Sequence, residues 1–198
     1  MISVVTDRAR ALARWIKHYP DRRAHQGRRA ALVARLTVSG PPSVVLVVCL
    51  GNICRSPYGA GRLRALLAGR ISAVDSAGFI GPGRPSPDVA QGRAALRDLD
   101  LAAHRSRLID SKDVNAGLIL VMDRNQQRTL IARGAAPDRV VLLGDLDPTP
   151  IATRAVPDPY GRDADVFDAV FSRIDRCCLT LVDLWYPQNQ PDSARGHP

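Results

Sequence analysis

The stretch VVLVVCLGNICRSPYG, Val44 to Gly59, decides how the chain is read. Val44 to Cys49 is apolar without a break, the pattern of a short strand covered on both faces rather than one that alternates toward water. The run ends on a thiol, small and polar residues follow, and SPYGAGRLRALLAGR then reads as a helix with Pro57 in its first turn. A loop that feeds a helix N-terminus presents unpaired backbone N–H groups and the positive end of the helix dipole, so it attracts an anion. Gly51 lets the backbone come close to that anion, and Arg55 adds a planar fork of donors suited to two phosphate oxygens. A thiol set in such a field is a candidate nucleophile, because the thiolate is its reactive form. A nucleotide-binding P-loop would need a second glycine and a lysine, and neither is present. Cys49 and Cys54 lie five positions apart, which excludes a C-x-x-C redox motif.

Outward from this stretch the chain alternates. ISAVDSAG reads as a second strand, and a helix is expected from about Ser86 to Leu99, with Ser86 as N-cap and Pro87 at its first position. LILVM is a third strand, DRNQQRTLIARG a helix closed by Gly134, RVVLL a fourth strand, and about 164 to 185 a long terminal helix. Such alternation predicts an α/β fold, a four-stranded parallel sheet with helices on both faces, whose ligands bind at the carboxyl ends of the strands.

The 198 residues suffice for one domain with appendages. We divide them into a basic, partly helical extension (1–42), a domain (43–186) and a polar tail (187–198) expected to be disordered. In the extension Leu12, Trp15, Ile16 and Tyr19 form one helical stripe that Pro20 is expected to stop, a second helix runs from about Arg28 to Leu36, and SGPPS reads as a linker. Net charge is +9, but it is uneven: residues 1–43 hold nine basic side chains against Asp7 and Asp21, and the rest hold 19 against 17. Contact with nucleic acid or an anionic membrane is therefore a question for the extension alone. No apolar run approaches the roughly 18 residues of a membrane span, and charges interrupt the N-terminus where a signal peptide would be apolar, so a cytoplasmic location is expected. Cys49, Cys54, Cys177 and Cys178 are read as reduced thiols, the last two as packing residues.

VCLGNICRSP resembles the signature of the low-molecular-weight protein tyrosine phosphatases, C-x5-R followed by serine. The resemblance continues in order through VDSAG (74–78), HRSR (104–107), LILVMD (118–123) and VPDPYG (156–161). It implies a flavodoxin-like fold of the phosphotyrosine phosphatase I type and hydrolysis of protein phosphotyrosine through a phosphocysteine intermediate, without metal or other cofactor. It assigns Cys49 as nucleophile, Arg55 as oxyanion clamp and Asp158 as general acid. Leu50, Gly51, Asn52, Ile53, Cys54, Ser56 and Tyr160 are assigned to the substrate, with Phe79 at the pocket mouth, and Ser76 and His104 to a network that holds the loop. In the family the second loop cysteine, here Cys54, can form a disulfide with the nucleophile. A bacterial tyrosine kinase is the implied partner and exopolysaccharide synthesis the implied setting, with a monomer expected.

Three other readings share the scaffold. Arsenate reductases relay oxidation through cysteines in mid-domain, and there are none between Cys54 and Cys177. Protein-arginine phosphatases carry threonine where Ile53 stands. A non-enzymatic oxyanion-binding module would not need both Cys49 and Asp158. Gly59, Ala60, Gly117 and Gly161 depart from the family pattern, and two glycines so early are expected to weaken the helix after the loop.

Overall fold

A computed structural model describes Ala13, Ile16 and residues 18–187. Four strands, β1 (Val44–Cys49), β2 (Ala73–Gly78), β3 (Leu118–Val121) and β4 (Val140–Leu142), form one parallel sheet in the order β2-β1-β3-β4. The chain leaves β1 for β2 on one side and then crosses to β3 on the other. The carboxyl end of β1 is therefore a topological switch point, where open α/β sheets form a crevice.

Period-two geometry sends successive β1 side chains to opposite faces. Val45, Val47 and Cys49 join the larger core with helices α2 (His25–Ser39), α3 (Arg55–Leu66), α4 (Asp88–Ala95) and α6 (Ala164–Trp185). Leu46 and Val48 join the smaller one, with Ile119, Val121 and Leu130 of α5 (Arg124–Ala132). Both faces are covered, which is why β1 and β3 carry no polar residue; the edge strand β2 tolerates Asp75. On α6, Phe167, Val170, Phe171, Ile174, Cys177, Cys178, Leu181, Val182 and Trp185 make one buried stripe at helical spacing. Phe171 stacks on Tyr58 with ring centroids 3.8 Å apart, and the buried Tyr58 hydroxyl donates to Asp175 at 2.8 Å.

Two sequence expectations need correction. Ala13 and Ile16 are helical and His18 lies in a turn; Pro20 then sits in the first turn of a new short helix, α1 (Tyr19–Arg23), where its missing N–H costs nothing. Ile16 and Tyr19 are exposed, and Leu12 and Trp15 of the expected stripe fall outside the described residues, as does the tail from 188. Ser86 does not cap α4. Flanked by Pro85 and Pro87, it is buried with its hydroxyl unpartnered among the described residues, and the helix begins only at Asp88. That helix also ends at Ala95, because Asp98 adopts a left-handed φ of 59° and Leu99 N–H bonds back to Ala94 O.

The glycine departures have local causes. A Cβ on Gly59 would lie 3.3 Å from Val47 and 3.4 Å from Ile174, so its absence lets α3 settle between the sheet and α6. A Cβ on Gly117 would lie 2.7 Å from the Cβ of Pro42, so this glycine accommodates the linker before β1.

The described part of the basic extension packs on the fold. α2 runs longer than its apolar spacing suggests and ends at Gly40, whose φ of 66° suits glycine. Its Leu36 is buried in the larger core, and His25 Nε2 donates to the Asp147 carbonyl at 2.9 Å. Arg28 faces Asp145 at 3.7 Å, Arg29 donates to Leu146 O at 3.4 Å, and Arg35 donates to Asp138 O. Asp147 is itself a junction, its buried carboxylate held by Arg173, Arg176 and Thr149. Burial pushes that carboxyl up, but these partners outweigh it and leave its pKa below the usual carboxylate value. Among the described residues no helix is long and apolar enough to cross a membrane.

Leu36→Ala is expected to lower unfolding free energy by about 2–4 kcal/mol, the cost of a cavity in a shared core. Urea denaturation followed by circular dichroism measures it; a loss under about 0.5 kcal/mol would mean that α2 is a loose appendage.

Candidate active site

The loop from Leu50 to Cys54 lies at the switch point, between the end of β1 and the start of α3. Asn52 sets its shape. Its φ of 51° is a left-handed value that asparagine tolerates better than most residues, and it turns the chain back over the Cys49 thiol. Asn52 N–H donates to Cys49 Sγ at 3.2 Å. The Asn52 amide donates to Ser56 Oγ and Ser76 Oγ, both at 2.9 Å, while Asn52 Oδ1 accepts from the Arg107 backbone at 2.9 Å. His104 Nε2 donates to Asn52 O at 2.7 Å. Ser56 Oγ lies 3.0 Å from Cys49 Sγ, so the thiol has two hydrogen-bonding neighbours. On the far side Gly78 ends β2 against the loop, where a Cβ would meet Asn52 N at 2.8 Å and Leu50 O at 2.9 Å. Residues from three separate segments thus fix one turn.

Arg55 is buried at the first position of α3. Its Nη1 donates to Val156 O at 3.0 Å and its Nη2 to Asp158 Oδ2 at 2.5 Å, while its Nε is buried without a hydrogen-bond partner among the described residues. A buried donor without an acceptor is costly, and an oxyanion in the cradle would supply one. Asp158 stands 103 positions from Arg55 in sequence, and its side chain is 45% exposed at the cavity. Gly161, in the left-handed region at φ 71°, turns the chain away after Tyr160.

Cys49, Leu50, Gly51, Ile53, Cys54, Arg55, Ile80, Arg84, Asp158 and Tyr160 line a cavity of about 110 Å³. Its rim is apolar, formed by Leu50, Ile80 and Tyr160, all of them exposed. Phe79, expected at this mouth, lines the adjoining groove with Leu50, Asp158 and Thr129, and the guanidinium of Arg133 lies over its ring. Phe79 and Ile80 both direct their N–H groups at Leu50 O, so the chain turns there and Ile80 takes the rim.

Burial, then the neighbouring Cys49 and Asp158, push the Cys54 thiol up to about 12, so it remains protonated at neutral pH. All four cysteines are free, and Cys177 and Cys178 are fully buried in α6. Among the described residues no cluster of His, Cys, Asp or Glu has the arrangement of a metal site.

The family described as low molecular weight phosphotyrosine protein phosphatase matches residues 44–189. The chain belongs to that family. Its relatives include a probable low molecular weight protein-tyrosine-phosphatase, EpsP, of Ralstonia nicotianae, 34% identical over 146 residues that cover 73% of this chain and 94% of that protein. The human low molecular weight phosphotyrosine protein phosphatase is 33% identical over 150 residues, covering 70% and 93% of the two chains. Among solved structures, the tyrosine phosphatase AmsI of Erwinia amylovora aligns with a TM-score of 0.65 at 27% identity, over 72% of this chain and 93% of that one. The Vibrio vulnificus Wzb in complex with benzylphosphonate gives 0.63 at 28%, over 72% and 99%. Phosphatases of this family thus share the flavodoxin-like sheet described above.

Sequence reasoning missed Arg84 and Ile80, because GPGR reads as an ordinary turn and nothing local reports that it folds against the loop. Within the loop the test is Asn52→Ala, which removes the two amide donors and disfavours the left-handed turn. Turnover of p-nitrophenyl phosphate is expected to fall about 10- to 100-fold, the scale of a misplaced reacting group. Unchanged turnover would show that the turn does not depend on this side chain.

Proposed function

We propose that this chain hydrolyses phosphotyrosine in a protein substrate through a phosphocysteine intermediate, without metal or other cofactor. The observation that carries the reading is the convergence of Cys49, Arg55 and Asp158 on one small cavity, with Arg55 bonded to Asp158 at 2.5 Å. Cys49 Sγ attacks phosphorus in line, the bond to the tyrosyl oxygen breaks, and Asp158 gives that oxygen its proton. Loop N–H groups and Arg55 hold the three equatorial oxygens while charge spreads over them. Water then attacks the phosphocysteine with Asp158 as base, the sulfur–phosphorus bond breaks, and inorganic phosphate leaves. Ser56 and Asn52 N–H stabilise the sulfur as it leaves again.

The apolar rim suits an aryl group. A structural neighbour is described as the arginine phosphatase YwlE from Geobacillus stearothermophilus, with a TM-score of 0.64 at 25% identity over 72% of this chain and 92% of that one, so phosphoarginine is the competing substrate. Ile53, where arginine phosphatases carry threonine, favours tyrosine. The arsenate relay lacks its cysteines, since Cys177 and Cys178 are shut inside α6. Relatives named EpsP and Wzb support a role in exopolysaccharide regulation, and we extend this reading to a cytoplasmic monomer acting on a bacterial tyrosine kinase.

Hydrolysis of p-nitrophenyl phosphate, phosphotyrosine, phosphoserine and phosphoarginine by wild type, Cys49→Ser and Asp158→Asn tests the chemistry. Wild type is expected to prefer the aryl esters, Cys49→Ser to be inactive, and Asp158→Asn to lose about 10²- to 10⁴-fold on phosphotyrosine. Turnover surviving in Cys49→Ser would sink the mechanism, and a preference for phosphoarginine would sink the tyrosine assignment.

We read residues 43–186 as the catalytic domain and 1–42 as an extension whose described part packs on it; Arg28, Arg29 and Arg35 are turned to the domain, which favours packing over docking to nucleic acid or an anionic membrane. Retention on heparin or DNA is expected to change little when 1–42 are removed. Salt-sensitive binding that disappears with them would reverse this assignment.

A further inference from the structure

The rim of the phosphate cavity carries a cation that the reaction does not use. Arg84, in the loop between β2 and α4, lies in a slot made by two glycines. A Cβ on Gly51 would lie 2.7 Å from Arg84 Nη2, and one on Gly81 would collide with the same guanidinium. Nε donates to Gly81 O at 2.9 Å, and Nη2 to Gly51 O at 3.1 Å and Ile80 O at 3.3 Å. The backbone beneath is pinned as well. Arg84 N–H donates to Ser106 Oγ at 2.9 Å, Ser106 N–H to Arg84 O at 2.9 Å, and Ser106 Oγ to Gly81 O at 2.6 Å.

The result is a rigid guanidinium with one edge spent on carbonyls and Nη1 without a hydrogen bond among the described residues. No carboxylate among the described residues pairs with it, whereas Arg93, Arg97, Arg107, Arg154, Arg173 and Arg176 each face one. Asp158, which lines the same cavity, is bonded to Arg55 instead. A fixed planar cation between Ile80 and the phosphate loop has lost most of its rotamer freedom in advance, so pairing with an anion costs little further ordering.

We propose that Arg84 is a second subsite that reads a carboxylate of the substrate chain, an Asp or Glu beside the phosphotyrosine. This rests on the phosphatase reading above and goes beyond it, by selecting acidic phosphotyrosine segments among protein substrates. The phosphate enters the loop around Cys49, the aryl ring passes the apolar rim, and the adjacent acidic side chain meets Arg84 Nη1.

The test uses phosphotyrosine peptides identical except for Asp or Ala at the positions immediately before and after the tyrosine. For wild type, kcat/KM is expected to be about fivefold higher for the Asp peptides, mainly through KM, and the advantage should shrink as sodium chloride rises. In Arg84→Gln the ratio is expected to fall within twofold of unity, and in Arg84→Glu a Lys-flanked peptide should be preferred. Each ratio is internal to one variant, so a general loss of activity does not move it. If a variant turns over too slowly to measure, the same ratio is read as Kd by fluorescence anisotropy with Cys49→Ser added. Equal cleavage of Asp and Ala peptides by wild type overturns the subsite and leaves the phosphatase reading intact. Cleavage of neither overturns the phosphatase reading itself. A preference that survives in Arg84→Gln assigns it to another group and overturns the proposal.

Discussion

The site depends on one backbone conformation, the left-handed turn at Asn52. A turn that directs successive N–H groups inward is poor in its own hydrogen bonds, so neighbours must hold it from outside. Asn52 meets that need with a single side chain, reaching Ser56 on α3, Ser76 on β2 and the backbone of Arg107, while His104 takes its carbonyl. The sheet order makes this possible. With β2 beside β1, Ser76 pairs in register with Val47, two residues before the end of β1, and Gly78 sits beside Cys49 without a side chain to obstruct the loop. Fold and site are therefore coupled by geometry rather than by proximity in sequence.

The same logic extends to the acid. Asp145 and Asp147 follow β4 and are neutralised by Arg154, Arg173 and Arg176, which fixes the segment leading toward Val156 and Asp158. Buried ion pairs of this kind add little net stability over apolar packing, but breaking one leaves a stranded charge, so they specify a single path for the chain. α2 clamps the start of that segment from outside, through His25 on the Asp147 carbonyl and Arg28 near Asp145.

Legibility followed locality. The strand, the loop and the start of the first helix of the site lie within sixteen consecutive residues, and apolar continuity, Gly51, Arg55 and Pro57 each carry a local physical meaning. Asp158 was legible because DPYG is a compact motif in a known order, although its distance to Arg55 was not. The failures are tertiary. Ser86-Pro87 has the composition of a helix cap, yet Pro87 itself takes the N-cap position and leaves the serine one residue outside the helix. Packing of α2 rests on pairs such as His25 with Asp147, 122 positions apart, which leave no trace in spacing. Gly59 and Gly117 look like weakening departures until Val47, Ile174 and Pro42 are placed against them.

Arg55 then joins the two halves of the chemistry. One guanidinium edge serves the acid segment through Val156 O and Asp158, and the unpartnered Nε remains for the oxyanion. Lysine could supply the charge but not both edges at once, since its donors converge on a point rather than a fork. Because the clamp and the acid share this one group, their contributions cannot be separated by single substitutions: removing Arg55 withdraws an oxyanion donor and also releases Asp158 from its place. Residues that act as such a unit are strongly non-additive. The arginine at the sixth position after the thiol is fixed by two demands, one from the phosphate loop and one from a segment a hundred residues away.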